Sequence, residues 1–218
     1  MIVKGIKRSI LGIVLTGGVL FSGEFENAVQ AYRSGSYIEA LNGFFVLAKN
    51  GDALAQYNVG IMYAQGKGVE QDLSAAMTWF ENAAKEGVAS AQYNLAELYH
   101  RLGDMEPHAY EKAKYWYEKA ARQGHAQAHN NLGVLYLEGK GVRADVKKAF
   151  EHFKAAAEKG DANAQLNVAQ LYAWGEGLPQ DKMKAYEFFK KASESGKTEA
   201  RTYLEQLCQE SAWVCQKQ

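Results

Sequence analysis

The chain has 218 residues with 47% apolar side chains, two prolines and a formal charge of zero, which suits one helical array better than two packed domains. Lys4, Lys7 and Arg8 are the only charges before Glu24, so residues 23 onward carry 22 basic and 25 acidic side chains, a net of −3. No basic stripe is visible, which argues against a nucleic-acid partner.

Residues 1–22 read as a targeting segment. Met1 to Arg8 is basic, and Ser9 to Phe21 is apolar with breaks at Gly12, Thr16, Gly17 and Gly18. Such a run is too short for a bilayer-spanning helix but fits the apolar region of a signal peptide. The cleavage site is poor, with Leu20 and Ser22 in the small-residue positions, and no cysteine offers a lipoprotein site. An uncleaved anchor and a buried helix of a cytoplasmic protein stay open. Periplasmic or secreted localisation is the favoured expectation, with no stable membrane span.

Residues 24–50 come next, with Gly35, Tyr37, Ala40, Phe44, Ala48 and Gly51 marking a helix pair with a short turn. Four units then follow at 51–87, 88–124, 125–160 and 161–196. Asn58, Asn94, Asn131 and Asn167 fall in register, 36, 37 and 36 residues apart, as do Tyr63, Tyr99, Tyr136 and Tyr172. A fixed period in the thirties marks stacked helix pairs, none of which buries its apolar face alone. Within 51–87, Ala55, Val59, Met62 and Tyr63 share one helix face. Gly60, Ala96, Gly133 and Ala169 occupy one position, where a small residue lets the next helix approach.

The connecting loops read Gly66-Lys67-Gly68-Val69, Gly139-Lys140-Gly141-Val142 and Gly175-Glu176-Gly177-Leu178. Their glycines suit left-handed backbone at a helix end, and without a preceding strand G-x-G is no nucleotide fingerprint. The second helices start after Asp72, Asp145 and Asp181, candidate N-caps, and carry alanines around Phe80, Tyr117, Phe153 and Phe189. Repeat 2 departs from the pattern at Tyr99–Pro107, which replaces the G-x-G loop.

Residues 51–196, with AQYNVGIMYAQGKGVEQD and WFENAAKEG as the clearest segments, resemble the Sel-1-like repeat family, relatives of tetratricopeptide repeats. The resemblance implies an all-α fold, a right-handed α-solenoid of antiparallel helix pairs. It implies a non-catalytic scaffold that binds a protein, a peptide or an envelope polymer in a groove lined by the first helices. Some cysteine-rich relatives are described as weak β-lactam hydrolases, the alternative reading. Here the repeats contain no cysteine, and the S-x-x-K, S-D-N and K-T-G set is absent.

The expected groove holds Tyr57, Asn58, Tyr93, Asn94, Glu97, Asn130, Asn131, Asn167, Gln170 and Trp174. Its tyrosines are read as exposed anchors and its asparagines as a ladder for peptide backbone, against the plainer reading that each amide satisfies a neighbouring helix. His125 and His129 stand four apart, the spacing of two metal ligands, but no third ligand follows. No cofactor, metal or catalytic residue is expected.

Residues 197–218 read as a cap. Its Cys208 and Cys215, seven residues apart in a continuous helix, would lie roughly 10 Å apart, beyond the ~7 Å limit for a bridge. A disulfide therefore needs the helix to end near Glu210–Ser211; otherwise the tail holds two free thiols.

Overall fold

A computed structural model describes residues 22–106 and 108–216. Every regular element among them is an α-helix, and consecutive helices pair. In chain order these are α1 (Ser22–Arg33), α2 (Tyr37–Lys49), α3 (Ala53–Gln65), α4 (Leu73–Lys85), α5 (Ala89–Leu102), α6 (Ala109–Arg122), α7 (Ala126–Glu138), α8 (Val146–Glu158), α9 (Ala162–Trp174), α10 (Lys182–Glu194), α11 (Thr198–Glu210) and the single turn α12 (Ala212–Cys215). None of the described helices is long and apolar enough to cross a membrane. The proposed signal segment lies outside the described residues, apart from the start of α1.

The chain divides into two compact units, unit 1 ending at Leu98 and unit 2 beginning at Tyr99, both within α5. In unit 1, α1 and α2 bury Phe25, Ala28, Val29, Phe44 and Leu47, and α3 adds Ala55, Val59 and Met62 to the same core. In unit 2 the corresponding layers are Phe153, Ala156, Val168 and Leu171, then Ala169, Phe189, Ala200 and Leu207. Each layer is centred on a buried aromatic ring from a second helix, seated among alanines and other apolar side chains. Burial of such a ring contributes about 2–3 kcal/mol, so the array is held by repetition of one modest contact.

Sequence detail explains the helix ends. Asp72 accepts from the amides of Ser74 and Ala75, Asp145 from Lys148 and Asp181 from Lys184, while Asp52 and Asp161 cap α3 and α9 in the same way. The caps satisfy amides that have no intrahelical partner. At the other end Gly66, Gly139 and Gly175 take φ of 66°, 72° and 70°. The second loop glycine has a separate duty. A Cβ on Gly68 would lie 2.5 Å from the Tyr37 carbonyl oxygen, and one on Gly141 would lie 2.6 Å from the carbonyl carbon of Tyr110. Each loop thus sits directly on the start of the second helix of the preceding pair. Repeat 2 reaches α6 differently: α5 runs on to Leu102, and His108, the N-cap of α6 where the other repeats carry an extended aspartate, takes φ 60° and makes no side-chain cap bond.

The helix crossings follow the small-residue rule. A Cβ on Gly60 would stand 2.7 Å from the Phe80 ring, and one on Gly133 would stand 2.5 Å from Phe153. At the far end α11 stops at Glu210, and the chain turns into α12 at Ser211, whose hydroxyl accepts from Lys182 Nζ at 2.7 Å. The turn brings Cys208 and Cys215 to a Cα separation of 5.8 Å, and the two are bridged.

Candidate functional site

The tyrosines expected to line a groove are inside. Tyr57 is 3% exposed and Tyr93 7% exposed, which corrects the reading of both as open anchors. The second helix α4 packs Phe80 against the Tyr57 ring at 5.8 Å, and Asn94 of the following helix donates to its hydroxyl at 3.2 Å. Burial pushes the Tyr57 hydroxyl up to about 12, against the lowering effect of its hydrogen bonds to Asn94 and Ser90. A phenol in that position is a packing group.

The asparagine ladder is corrected in the same direction. Asn58, Asn94 and Asn130 are buried, and Asn131 and Asn167 are half-buried. In unit 2 the amides form a continuous chain. Asn167 donates to Asn130 Oδ1 at 3.0 Å, Asn130 donates to Asn131 Oδ1 at 3.1 Å, and Asn131 donates to the Tyr117 hydroxyl at 3.1 Å. Tyr117 in turn lies 3.4 Å from His100 Nδ1. Amides committed this way tie α9, α7, α6 and the end of α5 together, the plainer of the two roles open to them. Asn58 differs, because both of its amide atoms are buried without a hydrogen-bond partner.

What remains on the surface is narrower than the sequence suggested. Glu97 and Gln170 are half-buried, and Trp174 is 52% exposed. Trp174 ends α9 on the face that carries Gln170 and Asn167, one and two turns earlier. Tyr203 of α11 meets its ring edge-on at 5.9 Å, and Tyr203 itself stacks on Phe189 at 5.3 Å. The exposed indole is therefore braced from behind by a core ring. One repeat to either side, the equivalent positions are Glu138 and Glu210, both exposed. Sequence reasoning placed Trp174 in the groove row but missed Tyr203, which stands where the asparagine stands in the other repeats. That break in the pattern was the available signal.

A second feature was not expected from the sequence. His129 of α7 and His152 of α8 bring their Nδ1 atoms to 3.2 Å, and Tyr136 stacks on His152 at 5.5 Å. His125 lies one turn before His129, but the described residues hold no cluster of three or more metal-ligating side chains.

The sequence model of the Sel1 repeat family matches residues 53–88, 89–125, 126–161 and 162–197. The chain belongs to the Sel1 repeat family. Among solved structures, a Sel1 repeat protein from Oxalobacter formigenes is 31% identical with a TM-score of 0.75, over 83% of this chain and 74% of that one. The c5321 protective antigen of uropathogenic Escherichia coli, which displays an SLR fold, is 30% identical with a TM-score of 0.75. It matches 88% of this chain, which spans only 45% of the antigen's length. A putative Sel1 repeat protein from Klebsiella pneumoniae is 27% identical with a TM-score of 0.54, over 77% of this chain and 80% of that one. No curated protein matches the sequence. Sel1 repeats typically form protein-interaction scaffolds without catalysis of their own.

Proposed function

We propose that the chain is a non-catalytic scaffold that binds an extended segment of a protein partner on the first-helix face of unit 2. The observation that carries this is Trp174, half exposed and braced edge-on by Tyr203. Aromatic anchors of this kind dominate interface energetics because they bury much area at low conformational cost. Glu138 and Glu210 flank the anchor, so the fitting segment places an apolar side chain against the indole and a lysine or arginine on either side. Glu138 is already paired with Lys140 at 3.0 Å, which makes Glu210 the stronger of the two attractions. Nothing in the comparisons favours the hydrolase alternative, and the repeats carry neither the cysteines nor the S-x-x-K, S-D-N and K-T-G set. Export of the protein, with a mature N-terminus near Gly23, belongs to the same reading, and N-terminal sequencing of the envelope fraction tests it.

The binding test is a selection of displayed peptides on the purified chain, followed by titration. Selected peptides should combine an apolar anchor with basic neighbours. Trp174→Ala should weaken them about thirty-fold, the loss of roughly 2 kcal/mol, with the circular dichroism unchanged. Lys147→Ala, on the exposed side of α8, should leave binding intact. Equal loss in both variants, or none in the first, removes the site from this face.

A further inference from the structure

The repeats provide their own internal comparison. The position of His129 is held by Gln56, Gln92 and Gln165 in the other three units, and that of His152 by Trp79, Trp116 and Phe188. Repeat 3 alone changes both positions, both changes are to histidine, and the two side chains touch. The glutamine has a recognisable task. Gln56 Nε2 donates to the Ala48 carbonyl at 3.2 Å, and Gln92 Nε2 donates to the Ala84 carbonyl at 3.0 Å. His129 keeps that bond, to the backbone of Ala121 at the equivalent place.

This bond fixes the proton positions. A ring nitrogen that donates to Ala121 leaves the other nitrogen, Nδ1, as an acceptor in neutral His129. The facing Nδ1 of His152 must then carry the proton of their 3.2 Å contact. One added proton can sit on His152 Nε2 without disturbing this bond. A second must go to His129 Nδ1, and it sets two N–H groups and two positive rings face to face. We propose that His129 and His152 form an acid-sensitive latch between α7 and α8, closed while the pair holds no more than one extra proton and opened by the second.

The surroundings decide how strongly the charged forms are resisted. From α6, Lys114 opposes a charge on His152 and Glu118 favours it, and these two are themselves paired at 2.8 Å. From α8 itself Glu151 favours the charge, and Lys159, just past the helix end, opposes one on His129. From α7 comes the neutral face of Tyr136, covered by Lys148 at 5.4 Å. Asp161, the cap of α9, acts on His125. Burial is the leading influence on both rings, and it holds each below the ordinary value of 6.5. A depressed histidine favours the fold while neutral. The latch therefore contributes fully above pH 6.5 and loses its contribution as pH falls below that value.

The test does not depend on the binding face of unit 2. The full chain, in EDTA, is melted by circular dichroism from pH 7.5 to 5, beside His129→Gln and the double variant His129→Gln/His152→Trp. The double variant gives repeat 3 the residues found in repeats 1 and 2. His100, His108 and His125 remain in all three proteins, so the difference in slope isolates the pair. Wild type should lose roughly 4 °C more than either variant over this range, and amides of α7 and α8 should exchange faster at pH 5 after correction for intrinsic rate. Equal slopes overturn the latch. If the double variant does not fold, His129→Gln alone carries the comparison. A wild-type profile that shifts on adding zinc also overturns it, in favour of a metal held by the two rings.

Discussion

Asn58 and Asn94 sit on the same turn of successive first helices in unit 1, yet they live differently. Asn94 donates to a buried tyrosine hydroxyl, whereas Asn58, at 1% exposure, has no partner for either amide atom. The cause lies one repeat upstream. Asn94 meets Tyr57, contributed by the preceding first helix, and Asn167 meets Asn130 in the same relation. The helix preceding α3 in that role is α1, which belongs to a pair with a shorter connection and, among its described residues, offers Asn58 no such group. A repeated residue is thus defined by its neighbour as much as by its own pattern, and the first member of a series inherits the demand without the supply. Unit 2 shows the opposite extreme, where three asparagines, a tyrosine and a histidine form one chain.

The comparison can be broken or sharpened at several levels. The largest effect is expected at the helix crossings. Gly133→Leu must displace the Phe153 ring and should destabilise unit 2 by about 3 kcal/mol, read as a shifted unfolding midpoint in urea. An unshifted midpoint would show that the crossing tolerates bulk and that the ring is loosely held. Next comes the covalent end of unit 2. Reduction of Cys208–Cys215 should cost about 2 kcal/mol there, so reductant should lower the transition of unit 2 and leave that of unit 1 in place. Movement of both together would mean that the two units unfold as one. The asparagine pair itself gives a smaller and more pointed difference. Asn94→Ala leaves the Tyr57 hydroxyl with Ser90 alone and should cost about 1 kcal/mol more than Asn58→Ala, which removes an amide already unsatisfied. Equal costs would imply that Asn58 is satisfied in solution by a buried water. Last, Lys85→Ala breaks the exposed Glu81–Lys85 pair of unit 1, 2.8 Å long, and should change stability by no more than about 0.5 kcal/mol.

Most of the architecture was legible because it is written in residues that act locally. Asp at the helix starts, glycine at the helix ends and alanine at the crossings each need only their own few neighbours to be interpretable. The Cys208–Cys215 contact was legible only conditionally, since it needed a break at Ser211 that no proline or glycine announces. The candidate groove was poorly legible, for a related reason. Tyr57, Tyr93 and Asn130 occupy positions that a single helix pair would leave open, and only the packing of adjacent helices closes them. Periodicity says that neighbours exist, but it does not say how much of each side chain they cover. Trp174 escapes because it lies at the last turn of α9, beyond that cover. Truncating Tyr57 and Tyr93 to alanine would accordingly perturb the core of unit 1 and would not probe binding. The histidine latch was hidden for a different reason: His129 and His152 are 23 residues apart and attract notice only when each is set beside its counterparts in the other repeats.

The loops carry a consequence for anyone interpreting natural variation in this chain. Gly68 presses on Tyr37, Gly141 on Tyr110 and Gly177 on Val146, so each loop meets a helix from the pair before its own. A substitution at one of these glycines injures a different repeat from the one that contains it. Damage reported at α2 can originate at residue 68, and a compensating change is to be sought some thirty residues upstream, at Tyr37 or Ile38, where the backbone can give way. Inheritance along this molecule is offset from its anatomy by one unit.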